Sequence, residues 1–300
     1  MTAGVFVTGA QHLDVIVNAP GLPRIDETVV GKAVDYRFGG KGGNQAVAAK
    51  RMGAKVAMAG RVGPDQFGRQ ILAELDFAGV DRAQVRTVAG ASGMSVAIVD
   101  DKGSYGAVIV SGVNQKTDPS DITVPDDTRV LLLQNEIPEA VNVAVASKAP
   151  ENALVVLNAA PARKAAPELL QRTGLLVVNQ LEAAMLTGQD DTLGDPEAAL
   201  DDLFDLGPRA VLITLGARGC IGGQSRSERF AAPTHPVEVL STHGAGDTFV
   251  GALAARMAGG DDLRSAVDFA QGAAALHVST PVGSRATVGP EQVEGFLYRR

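Results

Sequence analysis

Thr242-His243-Gly244-Ala245-Gly246-Asp247-Thr248-Phe249 lies between a run that reads as a strand end, Val237–Leu240, and an apolar-periodic segment, Thr248–Met257. The pattern predicts a strand, a tight turn of small residues and then a helix. Gly244 and Gly246 lack side chains, so a ligand can approach the backbone closely. Free N–H groups at a helix start favour an anion such as a phosphate. Asp247 sits at the mouth of that anion site, where bound phosphate would repel a carboxylate. A general base has reason to be there, because it must take the proton from the group that attacks phosphorus. An ordinary Asp N-cap after a Gly-rich turn is the plainer alternative.

Strand–turn–helix units recur outward from this stretch. Val5–Gly9 reads as a buried first strand ending in Ala10-Gln11-His12-Leu13-Asp14. Lys55–Ala59, Val130–Leu133, Leu154–Leu157, Leu175–Val178 and Ala210–Thr214 read as further strands. Helices are expected from Ala46 to Met52, after Asp65, over 138–148, near 166–171, from Asn179 through Leu186, over 196–206, 247–258, 262–277 and about 290–299. Such alternation means a doubly wound, mostly parallel sheet flanked by helices. Two β-rich insertions interrupt it, near 15–38 and 92–112, the second a hairpin around Asp100-Asp101-Lys102-Gly103. They could pair into a small sheet that closes over a site as a lid. The expectation is one α/β domain, 1–300, carrying that lid.

Composition narrows the function. The net charge of −7 and the lack of a Lys/Arg-rich run argue against a nucleic-acid surface. No apolar run reaches the ~18 residues of a membrane span. Cys220 is the only cysteine, so no intramolecular disulfide can form; it reads as core packing. A soluble, cytoplasmic protein is expected.

Other segments carry polar groups at strand ends, where α/β proteins place ligands. Asp14 reads as a ligand contact or a turn residue. His12 has no His or Cys partner at metal-ligand spacing. Phe38-Gly39-Gly40-Lys41-Gly42-Gly43-Asn44-Gln45 is a Gly-rich loop at a helix start. It lacks the spacing of a P-loop and of a dinucleotide fingerprint, which disfavours an NAD-dependent dehydrogenase. Asn179 and Glu182 read first as a capping box, with a metal-water role for Glu182 as the alternative.

Taken together, Gly39–Ala46, Asn158–Arg163, Asn179-x-x-Glu182, Thr214–Gly219 and Thr242–Phe249 resemble the signatures of the ribokinase (PfkB) family, in order and spacing over essentially the whole chain. The resemblance implies an ATP-dependent kinase acting on a primary hydroxyl of a small sugar, ribose at its 5-position first. It makes Asp247 the base and gives Gly244, Ala245 and Gly246 as N–H donors to the transferring phosphate. His12, Asp14, Gly40, Lys41, Gly42, Gly43, Asn44 and Glu136 would hold the sugar. Asn179, Thr214, Gly216, Gly219 and Gln271 would line the ATP side, and Glu182 would position Mg²⁺ through water. A nucleoside or other sugar kinase, or a catalytically idle sugar-binding protein, are the alternatives. A homodimer through the lid edges is a further expectation.

Two positions depart from the family pattern. His12-x-Asp14 stands where Asn-x-Asp is common. Ser241 stands where a carboxylate helps to bind a monovalent cation behind the anion loop. Potassium is therefore expected to stimulate weakly, and Arg285 lies in a stretch able to reach the loop and replace the ion.

Overall fold

The computed structural model describes residues 4–101, 105–189 and 194–299. In chain order come β1 (Gly4–Thr8), β2 (His12–Asn18), β3 (Ala33–Gly39), α1 (Lys41–Arg51), β4 (Lys55–Val62), α2 (Gln66–Phe77) and β5 (Asp81–Thr87). Next are β6 (Met94–Val99), β7 (Tyr105–Val110), β8 (Thr128–Gln134), α3 (Glu139–Ser147), β9 (Leu154–Asn158) and α4 (Pro167–Arg172). Then follow β10 (Leu175–Asn179), α5 (Gln180–Leu186), α6 (Pro196–Asp205), β11 (Ala210–Thr214), β12 (Cys220–Gly223) and β13 (Arg229–Ala232). Three helices close the chain: α7 (Ala245–Gly259), α8 (Leu263–Ser279) and α9 (Pro290–Tyr298).

The main sheet has the order β13-β12-β11-β10-β9-β8-β1-β4-β5. It is parallel from β11 to β5, and the β12–β13 hairpin extends it antiparallel. Central strands alternate between two buried faces. Val5, Val7, Val130 and Leu132 pack with α1, α7 and α8, whereas Phe6, Leu131 and Leu133 pack on the opposite side. Burial on both faces explains the near-continuous Val/Leu runs. From β1 the chain builds outward on one side to β4 and β5, and β8 pairs with β1 on the other. That reversal leaves a crevice at the carboxyl ends of β1 and β8, where ligands of open α/β sheets bind.

The two insertions pair into a second sheet of order β3-β2-β6-β7. β2 and β6 run parallel, with Leu13 opposite Met94 and Asp14 opposite Ser95. Lys102 and Gly103 of the expected hairpin turn lie outside the described residues. Among the described residues, no helix is long and apolar enough to cross a membrane.

Several local expectations need correction. Val237–Leu240 is not a strand: the sheet ends at β13, and Leu240 donates its N–H to Val278 O of α8 at 2.8 Å. Pro233 and Pro236, which lack donors, precede it. α1 begins at Lys41 rather than Ala46, because Gly40 turns the chain at φ 84° and the helix absorbs Gly42 and Gly43. The first insertion begins earlier than expected, with β2 at His12, and its second strand, β3, runs one residue past the expected end, to Gly39. β5, β12 and β13 were not expected: β5 is charged and largely exposed, and the other two are four-residue strands. Cys220 is buried, as expected of core packing.

Candidate active site

Asp247 is the third residue of α7, and Gly244, in the left-handed region at φ 78°, is the N-cap. The side chain of Asp247 is therefore not the cap. Its carboxylate reaches across to α1, where Asn44 Nδ2 donates to Oδ2 at 3.0 Å and Gln45 Nε2 donates to Oδ1 at 3.0 Å. The helices approach closely enough for this because residue 251 is glycine. A β-carbon there would lie 2.5 Å from Ala48 Cβ and 2.6 Å from Gln45 O.

The turn before α7 is tied down from behind. His243 O accepts from His277 Nε2 at 2.8 Å and from Arg285 Nη1 at 3.2 Å. Arg285 also donates to Ser241 O at 3.0 Å and to Thr280 O at 3.3 Å. Burial holds the pKa of His277 down at about 4, so its ring is neutral. Its Nε2 then carries the proton and its Nδ1 accepts from Thr248 Oγ1 at 2.9 Å. Residues 244–247, the start of α7, line the crevice in front of this turn. Ala245 N–H differs from the expectation, since it donates within the turn to Thr242 O at 3.1 Å.

The residues expected on the sugar side come from three elements. Asp14 on β2 accepts from Ser95 Oγ at 2.5 Å, and His243 Nε2 lies 4.0 Å from its other oxygen. Glu136, two residues past β8, accepts the N–H of Lys41 at 2.7 Å. Burial raises the Glu136 carboxyl to about 7, against the opposing pull of Lys41. His12 is 3% exposed, and its Nε2 has no partner among the described residues. Burial lowers its pKa and leaves the ring neutral, although Asp14 pulls the other way.

Lys41, Asn158, Asn179, Glu182 and residues 244–247 line one cavity of about 250 Å³. A neighbouring cavity of about 580 Å³ brings together Thr214, Gly216, Gly219 and Gln271, walled by Val237, Val239 and Phe249. Ala245 and Gly246 border both cavities. Asn179 lines the smaller cavity and not the larger. The capping box forms: Asn179 Oδ1 accepts Glu182 N–H, and Glu182 Oε2 accepts Asn179 N–H, each at 2.8 Å. Burial raises the pKa of Glu182. Among the described residues, no group of three or more His, Cys, Asp or Glu could hold a metal ion by itself.

Sequence reasoning missed Gln45, Ser95 and Asn158 as parts of the site. Gln45 shares a buried helical stripe with Ala49 and Met52. A polar residue on an otherwise apolar face was the signal available for it.

Residues 2–287 match the model of the pfkB family of carbohydrate kinases. The chain is 34% identical to the ribokinase of Bacillus subtilis over 279 residues, covering 91% of this chain and 92% of that one. Its fold is similar to that of Thermotoga maritima ribokinase, with a TM-score of 0.90, 26% identity, and 99% and 100% of the two chains covered. It is equally similar to Arabidopsis thaliana ribokinase complexed with ribose and ATP, with a TM-score of 0.89, 28% identity and 99% of each chain covered.

Proposed function

We infer, on the premise that this chain belongs to the pfkB family of carbohydrate kinases, that it phosphorylates D-ribose at the 5-hydroxyl with ATP as donor. The observation that carries the reading is the clamped carboxylate of Asp247 beside the open first turn of α7. A sugar hydroxyl brought to Asp247 loses its proton to the carboxylate as its oxygen attacks phosphorus. The N–H groups of Gly244, Gly246 and Asp247 meet the charge that develops on the transferring phosphoryl group. Ala245 N–H can join them if the turn opens. A binding protein without catalysis would have no use for this base.

Asp14, Lys41, Asn44 and Glu136 supply the mixture of acceptors and donors that a polyhydroxylated sugar requires. Gly40, Gly42 and Gly43 let backbone approach it. Thr214, Gly216, Gly219 and Gln271 form the nucleotide cavity, with Asn179 on its phosphate side. Mg²⁺ suits this donor set, because it keeps several waters and takes few protein ligands. The cap engages one oxygen of Glu182 and leaves the other to orient a metal-bound water; the ion would neutralise phosphate charge. Potassium has no required part, since Arg285 already occupies the carbonyls behind the loop. A cytoplasmic setting accords with the use of ATP. A homodimer through the lid accords with β3 and β7 standing at the edges of the second sheet and with exposed Val34, Val108 and Ile109. One observation favours a second reading, a sugar other than ribose: His12 stands where Asn is common, and its Nε2 has no partner among the described residues.

The test is coupled ADP release over pentoses, hexoses and nucleosides, with the product identified by phosphorus NMR. Ribose should give the highest kcat/KM and a primary phosphomonoester. Preference for a nucleoside or a hexose would overturn ribose, and no ADP release from any acceptor would overturn the kinase reading.

A further inference from the structure

We propose that Gln45 is the positioning residue for Asp247, fixing its Oδ1 so that Oδ2 is the oxygen that takes the substrate proton. This rests on the reading of Asp247 as the base. Gln45 is fully buried. Its Nε2 donates to Asp247 Oδ1 at 3.0 Å and to Asn158 Oδ1 at 2.9 Å, and its Oε1 accepts from Gln134 Nε2 at 2.7 Å. Both amide protons and the carbonyl are therefore engaged. Rotating the amide by half a turn would set its oxygen against two acceptors, Asp247 Oδ1 and Asn158 Oδ1, and its nitrogen against a donor. One orientation survives.

The partners stand on the rigid part of the molecule. Gln134 ends β8, and its backbone oxygen accepts from Asn142 Nδ2 at 2.8 Å. Asn158 ends β9 and donates to Val177 O of β10 at 3.1 Å. The two oxygens of Asp247 thus have unlike neighbours. Oδ2 is held by Asn44, a half-buried residue that an arriving hydroxyl can displace. Oδ1 is held by a side chain that substrate cannot reach. When the proton moves from the sugar hydroxyl to Oδ2, the carboxylate does not rotate, because the Gln45 N–H keeps its hold on Oδ1.

The experiment compares Gln45→Met, Gln45→Glu and Asp247→Asn by steady-state kinetics from pH 6 to 9, with thermal melting of each. Gln45→Met keeps the volume and removes the donor. Its kcat should fall roughly a hundredfold, the scale of a misplaced reacting group, with KM for sugar and for ATP nearly unchanged. Gln45→Glu can donate to Asp247 only while it holds a proton, and two ionised carboxylates repel. Its kcat should therefore fall as pH rises relative to that of the wild type. A Gln45→Met enzyme with normal kcat overturns the proposal, as does a loss that appears equally in KM and melting temperature. If Gln45→Met fails to fold, a Gln45→Glu profile parallel to the wild type overturns it instead. Near-normal turnover by Asp247→Asn would sink the reading of the base. A dead Asp247→Asn with an active Gln45→Met sinks only the role of Gln45.

Discussion

Gly251 of α7 faces Ala48 of α1 at a separation that admits no side chain, 2.5 Å from a β-carbon at 251 to that of Ala48. One helical turn earlier, the same contact delivers Asp247 to Asn44 and Gln45. Helix packing and the placement of the reacting carboxylate are therefore one feature.

Gly251→Ala should test this coupling. Alanine is the better helix former by roughly 1 kcal/mol. Overpacking against backbone and a β-carbon costs about 1–3 kcal/mol, so the clash should win. Denaturant unfolding should give a lower midpoint, and kcat should fall with it as Asp247 moves from its clamp. Gly259→Ala is the control on the same helix, since nothing lies within 4 Å of a β-carbon there. It should be neutral or slightly stabilising. Equal behaviour of the two variants would break the link between packing and site.

Glu136 sets a pH dependence of stability. Burial raises its carboxyl from an ordinary 4.5 to about 7 in the folded protein. Below pH 4.5 both folded and unfolded forms hold the proton. Between 4.5 and 7 the folded form alone holds it, so this contribution to stability is lost as pH rises through that window. Glu136→Gln mimics the neutral form throughout. It should be the more stable protein at pH 8, by on the order of 3 kcal/mol, and nearly indistinguishable near pH 4. Sugar affinity should drop at pH 8, where the carboxylate would accept hydroxyl hydrogen bonds. Urea midpoints at the two pH values check this, and a constant difference between the proteins would refute it.

The main sheet was legible because its central strands are buried on both faces and written as unbroken Val/Leu runs. Signals failed where tertiary context decided. β5 carries Asp81, Arg82 and Arg86 because it is an edge strand, so its sequence has little apolar alternation. Val237 and Val239 are β-branched yet wall the larger cavity instead of joining a sheet. In the candidate site, the Gly-rich turn pointed to Asp247 and the family resemblance to Asn44 and Glu136; the structure puts Asn44 against Asp247. Gln45 stood in the Gly-rich loop without a role, because its partners, Gln134, Asn158 and Asp247, are 89 to 202 positions away. Arg285 was visible only as a charge in the right stretch; its three carbonyl acceptors required coordinates.

His12 should bias the choice of sugar. A buried polar atom without a partner is costly, so a ligand group that reaches the unpartnered Nε2 would be selected strongly. His12→Asn restores the commoner pair with Asp14 and should raise kcat/KM for ribose relative to other pentoses. A fall for ribose, with the wild type already preferring it, would mean that His12 is this protein's own way of holding that sugar.

Potassium should have little effect on this enzyme. Ser241 supplies no carboxylate, and its carbonyl, with those of His243 and Thr280, already accepts from a single side chain behind the turn before α7. That side chain is Arg285, 9% exposed, with three of its N–H groups donating to those oxygens. Hydrogen bonds to a charged donor are worth about 1.5–3 kcal/mol each, and the planar fork cannot lose its proton. A free ion would have to displace a tethered one that is already bonded. Initial rates against KCl, with tetramethylammonium chloride holding ionic strength constant, should therefore vary less than about twofold, as expected where only screening changes. Arg285→Ala should expose the carbonyls, lower the basal rate and make it recover with added potassium. A many-fold rise in the wild type, half-saturating at low millimolar KCl, would mean that Arg285 does not fill the site.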